Sequence, residues 1–185
     1  MELLRKTITN PADRKLDNAD KTMPFAKDRH PHKASTYRDE WSFIQDTTLR
    51  ENIAYQLQYL EFMIHLYNDY QIYLTIESLL CKDLMVAIAG IVEAALFDII
   101  LSARKAKGLS LDNRTDFTAL LGQAYHDYGL MDRHLWHFFH DLRKVRNNIH
   151  LCAADFREHT AYTVDQVNDS ITMLEEFRLR IKGTN

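Results

Sequence analysis

Along most of this chain apolar residues return every third or fourth position. Ile53, Leu57, Leu60 and Ile64 do so in one stretch, and Val164, Val167, Ile171, Leu174, Phe177 and Ile181 in another. At about 100° of rotation per residue, such spacing places them on one face of a helix. The first long helix is expected to start between Asp39 and Asp46 and to run through TLRENIAYQLQYLEFMIHLYNDYQ. Its Tyr55, Tyr59, Tyr67 and Tyr70 read as core packing with a polar tip. A second helix, from about Leu74 to Lys107, is apolar on almost every side at its centre and reads as the buried spine. Gly90 beside Ala87, Ala89 and Ala94 predicts the close approach of another helix, and Lys105, Lys107 and Gly108 supply a stop. A shorter helix, DFTALLGQAYHDYG, begins at Asp116 with Thr115 as N-cap and closes at Gly129. Another starts behind Asp132 as N-cap. The last begins near Thr163, where T-V-D-Q forms a capping box.

Punctuation along the chain agrees. All three prolines, Pro11, Pro24 and Pro31, precede His32, and glycine is nearly as scarce beyond it, which favours helices over sheets. The expected fold is all-α: an up-and-down bundle of about five helices over residues 41–185, preceded by an irregular N-terminal arm over residues 1–40. No internal repeat is visible.

The stretch from Asp132 to His150 separates into three faces. Leu135, Phe138, Leu142, Val145 and Ile149 form an apolar stripe fit to dock on a core. Arg133, His134, His137, Asp141, Lys144 and Asn148 form a solvated face. The third face carries Asp132, Trp136 and Phe139, followed by Arg143, Arg146, Asn147 and His150. Large aromatics leading into two cations, an amide and an imidazole make this the candidate site. An ordinary reading stands beside it, because cations in the last turn of any helix are favoured by its dipole and Trp136 and Phe139 could belong to the core.

Charge narrows the options. A formal net charge of −3 argues against a broad electrostatic footprint for duplex nucleic acid, so any nucleic-acid contact should be local. The two cysteines, Cys81 and Cys152, form no CxxC pair, and the N-terminal MELLRKTITNPADRK has no long apolar run. No stretch of membrane-span length is free of charge, so a reduced, cytoplasmic protein is expected. There is no Gly-rich phosphate loop, GxSxG or HExxH. His134, His137 and His140 recur at three but drift around a helix axis, a weak metal signal; no metal or cofactor is expected.

LRKVRNNIH resembles the signature of the HEPN superfamily, the higher eukaryote and prokaryote nucleotide-binding domains, in which an Arg precedes a His by four to six residues. Arg143 to His150 leaves six intervening residues, and Arg146 with Asn147 supplies the Arg-Asn element often found there. The resemblance implies a small helical bundle, commonly dimeric, and a metal-independent endoribonuclease of a toxin–antitoxin or defence system. RNA brings its own nucleophile in the 2′-OH, so the protein need only move protons and stabilise charge. His150 would act as base or acid, and Arg143 or Arg146 would stabilise the phosphorane. Asn147 would orient a phosphate or the imidazole, and Trp136 and Phe139 would stack a base. Of the two arginines, the spacing favours Arg143. The partners implied are single-stranded RNA or a nucleotide, an antitoxin protein and a second copy of the chain, its motif helix meeting the first across a two-fold axis through Trp136 and Phe139. The alternative is a non-catalytic nucleotide-binding or protein-interaction module.

Overall fold

The computed structural model describes residues 30–70, 72–109, 115–147 and 161–184. Among them are six helices and no strand: α1 (Ala34–Glu40), α2 (Thr47–Asp69), α3 (Leu74–Ala106), α4 (Phe117–His126), α5 (Arg133–Asn147) and α6 (Val164–Thr184). The protein is an all-α helical bundle. Around α3 pack α2, α4, α5 and α6.

Side-chain pairs fix the directions. At one end of the α2–α3 pair the Tyr67 hydroxyl donates to Glu77 Oε1 at 2.8 Å. At the other, the Asp98 carboxylate accepts from the backbone N–H groups of Gln45 (2.7 Å) and Asp46 (2.9 Å), so the two helices are antiparallel. Tyr125 meets Trp136 with ring centroids 5.5 Å apart, and Arg146 lies 5.9 Å from the Phe117 ring, so α4 and α5 are antiparallel as well. Arg180 donates to Asp132 at 2.9 Å while Phe177 meets Phe139, turning α6 back along α5.

The helix starts follow local chemistry. Asp46 accepts from Leu49 N at the head of α2 and Asp132 from Leu135 N at the head of α5. Thr163 and Gln166 exchange hydrogen bonds at 2.9 and 3.3 Å, completing the capping box of α6. For α4 the cap is Asp116 rather than Thr115, since its carboxylate reaches Ala119 N at 2.7 Å and also suits the positive end of the helix dipole. After α3 and α4, Gly108 (φ 69°) and Gly129 (φ 61°) take the left-handed conformation that ends a helix at little cost.

Two expectations are corrected. Residues 34–40 are not an irregular arm; they form α1, and Tyr37, Trp41 and Ile44 are fully buried, which also raises the helix count to six. The reason is a polar anchor that hydrophobic spacing does not reveal. Glu61, 3% exposed, accepts from the Tyr37 hydroxyl (2.6 Å) and from His32 N (2.6 Å), and its other oxygen meets His32 Nδ1 at 2.7 Å. Residues 1–29 of the expected arm lie outside the described residues. On α2, Ile53, Leu57, Leu60, Ile64 and Tyr67 are buried, but Tyr55, Tyr59 and Tyr70 are exposed rather than core. Tyr55 and Tyr59 sit roughly opposite the buried stripe around the helix.

By length and composition α3 could cross a membrane, with mean hydropathy 2.3 over its most apolar window. Yet 56% of that window is buried within the fold, and the carboxylate of Asp98 is engaged by the chain entering α2.

Candidate functional site

Because α5 docks through Leu135, Phe139 and Leu142, the candidate face is narrower than the sequence implies. Phe139 is fully buried, its ring edge-on to Phe177 at 5.7 Å and 86°. Its expected role in stacking a base is therefore corrected: it is a core residue, while Phe138 and Val145 are only partly buried.

Arg146 turns the same way. Its guanidinium forms a two-pronged ion pair with Glu93 of α3, at 2.6 and 3.0 Å, and lies over Phe117. A planar fork matched to a carboxylate is strongly held. Arg146 thus ties α5 to α3, and its charge is already answered.

What remains on the outer side is a single row: Trp136, His140, Arg143 and Asn147, within roughly 60° of one another around the axis. Trp136 is half-buried in an aromatic box made by Tyr125 and His126 of α4 and by His137 and His140 of its own helix; the His140 ring is nearest, with centroids 4.5 Å apart. Burial first, then the charges of Arg143 and Lys144, hold the His140 imidazole below its ordinary pKa, so it is neutral at neutral pH. Arg143 makes no ion pair among the described residues, and its buried Nε has no hydrogen-bond partner there. Trp136 Nε1 and Gln123 Oε1 are in the same position. Buried unpaired polar atoms cost about 1–3 kcal/mol each, so three along the α4–α5 side call for an explanation. Asn147 closes the row, exposed in the last turn of α5.

The structure therefore brings Trp136, Arg143 and Asn147 together, and directs Phe139 and Arg146 elsewhere. His150 lies outside the described residues. His140, weighed from the sequence only as a weak metal ligand, is the member of this row that sequence reasoning missed. Its signal was present, one turn after Trp136 and one before Arg143, but masked by assigning Phe139 to the outer face. Among the described residues no three His, Cys, Asp or Glu side chains converge as metal ligands.

No protein-family model matches the chain. No curated protein and no solved structure matches it.

Proposed function

We propose that this protein is a metal-independent endoribonuclease of the HEPN type, acting on single-stranded RNA in a toxin–antitoxin or defence setting in the cytoplasm. The observation that carries the reading is Arg143: a guanidinium with an unpaired buried nitrogen, set in a row with His140 and Asn147 and left free of the carboxylate that claims Arg146. In this scheme the 2′-oxygen of RNA attacks the adjacent phosphorus, the 2′-O–P bond forms and the P–O5′ bond breaks. Arg143 stabilises the charge on the phosphorane. One imidazole takes the 2′ proton and another supplies a proton to the leaving 5′ oxygen. His140, neutral at neutral pH, suits the base step, and His150 the complementary one. Asn147 orients the phosphate and Trp136 walls the site.

The test is labelled single-stranded RNA incubated with the full chain in EDTA. Cleavage leaving 2′,3′-cyclic phosphate ends, lost in His150→Ala, supports the reading; no cleavage, or cleavage undiminished in that variant, overturns it. A second reading, a nucleotide-binding module without turnover, draws on the Arg146–Glu93 pair, which neutralises one of the motif's two arginines. Nucleotide binding with RNA left intact would favour it. An antitoxin partner would be recognised by its suppression of the cleavage.

A further inference from the structure

Nine large hydrophobics are exposed among the described residues, and seven of them lie on the α2–α3 hairpin. Five of these, Tyr70, Tyr73, Leu74, Ile76 and Leu79, crowd the end where α2 turns into α3, and Leu74 is 86% exposed. The patch continues back along α2 through Leu66, Phe62, Tyr59 and Tyr55, which recur at three and four and lie outside the hydrophobic core. Burial, then the nearby Asp83 carboxylate, raises the pKa of the Tyr59 hydroxyl, which sets the outer sides of α2 and α3 next to each other. Farther along α3, a Cβ at Gly90 would meet nothing within 4 Å, so the close helix approach expected there is not made by the described part of the chain. A contiguous apolar patch of this kind marks a docking surface.

The chain comes onto α2 at the edge of this surface. His32 is held there through its N–H and Nδ1 on the Glu61 carboxylate, and its carbonyl accepts from Gln58 Nε2 at 2.8 Å. Gln58 lies within about 60° of both Tyr55 and Phe62 around the helix. From His32, α1 runs toward Glu51, to which Arg38 donates at 2.9 Å, so α1 is antiparallel to α2. Extended backward, the line of the chain before His32 leads to the C-terminal end of α2, where the exposed side chains crowd.

We propose that this face docks residues 1–29 of the same chain, with Met23 and Phe25 seated against Tyr70, Tyr73 and Ile76 at the end of the hairpin. The reach fits. Extended backbone at about 3.3 Å per residue carries the chain from His32 back to Phe25 over as much as about 23 Å, and Glu61 is about 18 Å from Tyr73 along the axis of α2. Met23 and Phe25 are the first large apolar residues met on going back from His32, and Pro24 and Pro31 favour extended backbone at Met23 and His30. Charge fits as well. Residues 1–29 carry seven basic and five acidic side chains, a net +2 in a chain of net −3, whereas between Leu66 and Asp83 the three acids Asp69, Glu77 and Asp83 outnumber the one base, Lys82. A cationic segment complements that acidic stretch, and a second copy of the same stretch would repel it.

The test is photo-crosslinking of the full chain with benzoylphenylalanine in place of Ile76, which is 69% exposed. Nitrogen-15-labelled and unlabelled protein are mixed in equal parts, irradiated and digested, and the joined peptides are identified by mass spectrometry. The expected product joins position 76 to the peptide Thr22–Lys27, both halves carrying the same isotope. Met23→Asp with Phe25→Asp should lower its yield at least tenfold and raise the fluorescence of a dye that binds apolar surface, while the helical circular dichroism signal holds. Crosslinks that join labelled to unlabelled peptides would assign the face to a second copy and overturn the proposal. Absence of any crosslink into residues 1–29, or a yield unchanged in the double variant, overturns it too. No RNA is needed, so the outcome stands apart from the proposed cleavage.

Discussion

Arg143 and Arg146 stand three residues apart on one helix and differ in what they hold. Arg146 is paired with Glu93 through two hydrogen bonds between half-buried side chains, so Arg146→Ala removes a tie between α5 and α3. A loss of about 1 kcal/mol would lower the melting temperature by about 2–4 °C for a chain of this size. Arg143→Ala removes no ion pair among the described residues and relieves a buried unpaired nitrogen, so it should hold or raise the melting temperature while abolishing RNA cleavage. Measuring both together checks the division: a rate lost only in Arg146→Ala, or a melting temperature lowered only in Arg143→Ala, would reverse it. The sequence favours Arg143 by spacing alone; the reason Arg146 is occupied lies in Glu93, fifty-three residues earlier, which no local pattern connects to it. The neighbouring phenylalanines show the same limit. Phe138 and Phe139 both lie within about 60° of Leu135 around the helix, and only the position of Phe177 on α6 decides that Phe139 is the buried one.

Helix ends were far more legible than helix faces, because a cap is satisfied within three residues. Asp132, Thr163 with Gln166, Gly108 and Gly129 all act where the sequence places them, and Asp46 settles as the cap of α2 at the end of the range expected for its start. The miss at α4 was a choice between adjacent good caps. Asp132 does more than cap. Its carboxylate accepts from Leu135 N and pairs with Arg180, so a local cap also joins α5 to α6. The Leu135 hydrogen bond is the largest cause, with Arg180 adding to it, that holds its pKa below the ordinary aspartate value of 3.8. A depressed folded-state pKa contributes stability that is present above the unfolded value and lost as pH falls through the folded one. Asp132→Asn keeps a capping oxygen but gives up the ion pair with Arg180. Chemical denaturation should therefore find wild type more stable than Asp132→Asn at neutral pH, with the gap closing as pH falls below 3.8. A gap that persists unchanged in acid would mean the charge of Asp132 contributes nothing.

At the scale of the molecule everything depends on α3. Its hydropathy would serve a membrane span or the spine of a bundle equally, and composition cannot separate them. The acidic residues can. Glu93 is claimed by Arg146, and Asp98, only 3% exposed, takes two backbone N–H groups that begin α2. Hydrocarbon offers a carboxylate no such partners, whereas a folded bundle supplies them from neighbouring elements. The two arrangements respond oppositely to Asp98→Leu. In a bilayer the substitution removes a costly charge and helps the helix insert. In the bundle it leaves the N–H groups of Gln45 and Asp46 without their acceptor, at about 2–4 kcal/mol for the pair, and lowers the melting temperature by about 5 °C or more. The wild type should accordingly remain in the supernatant after high-speed centrifugation without detergent, and Asp98→Leu should melt earlier. Recovery only in the membrane pellet, or a melting temperature that rises with the substitution, would place α3 in a bilayer instead of at the centre of the fold.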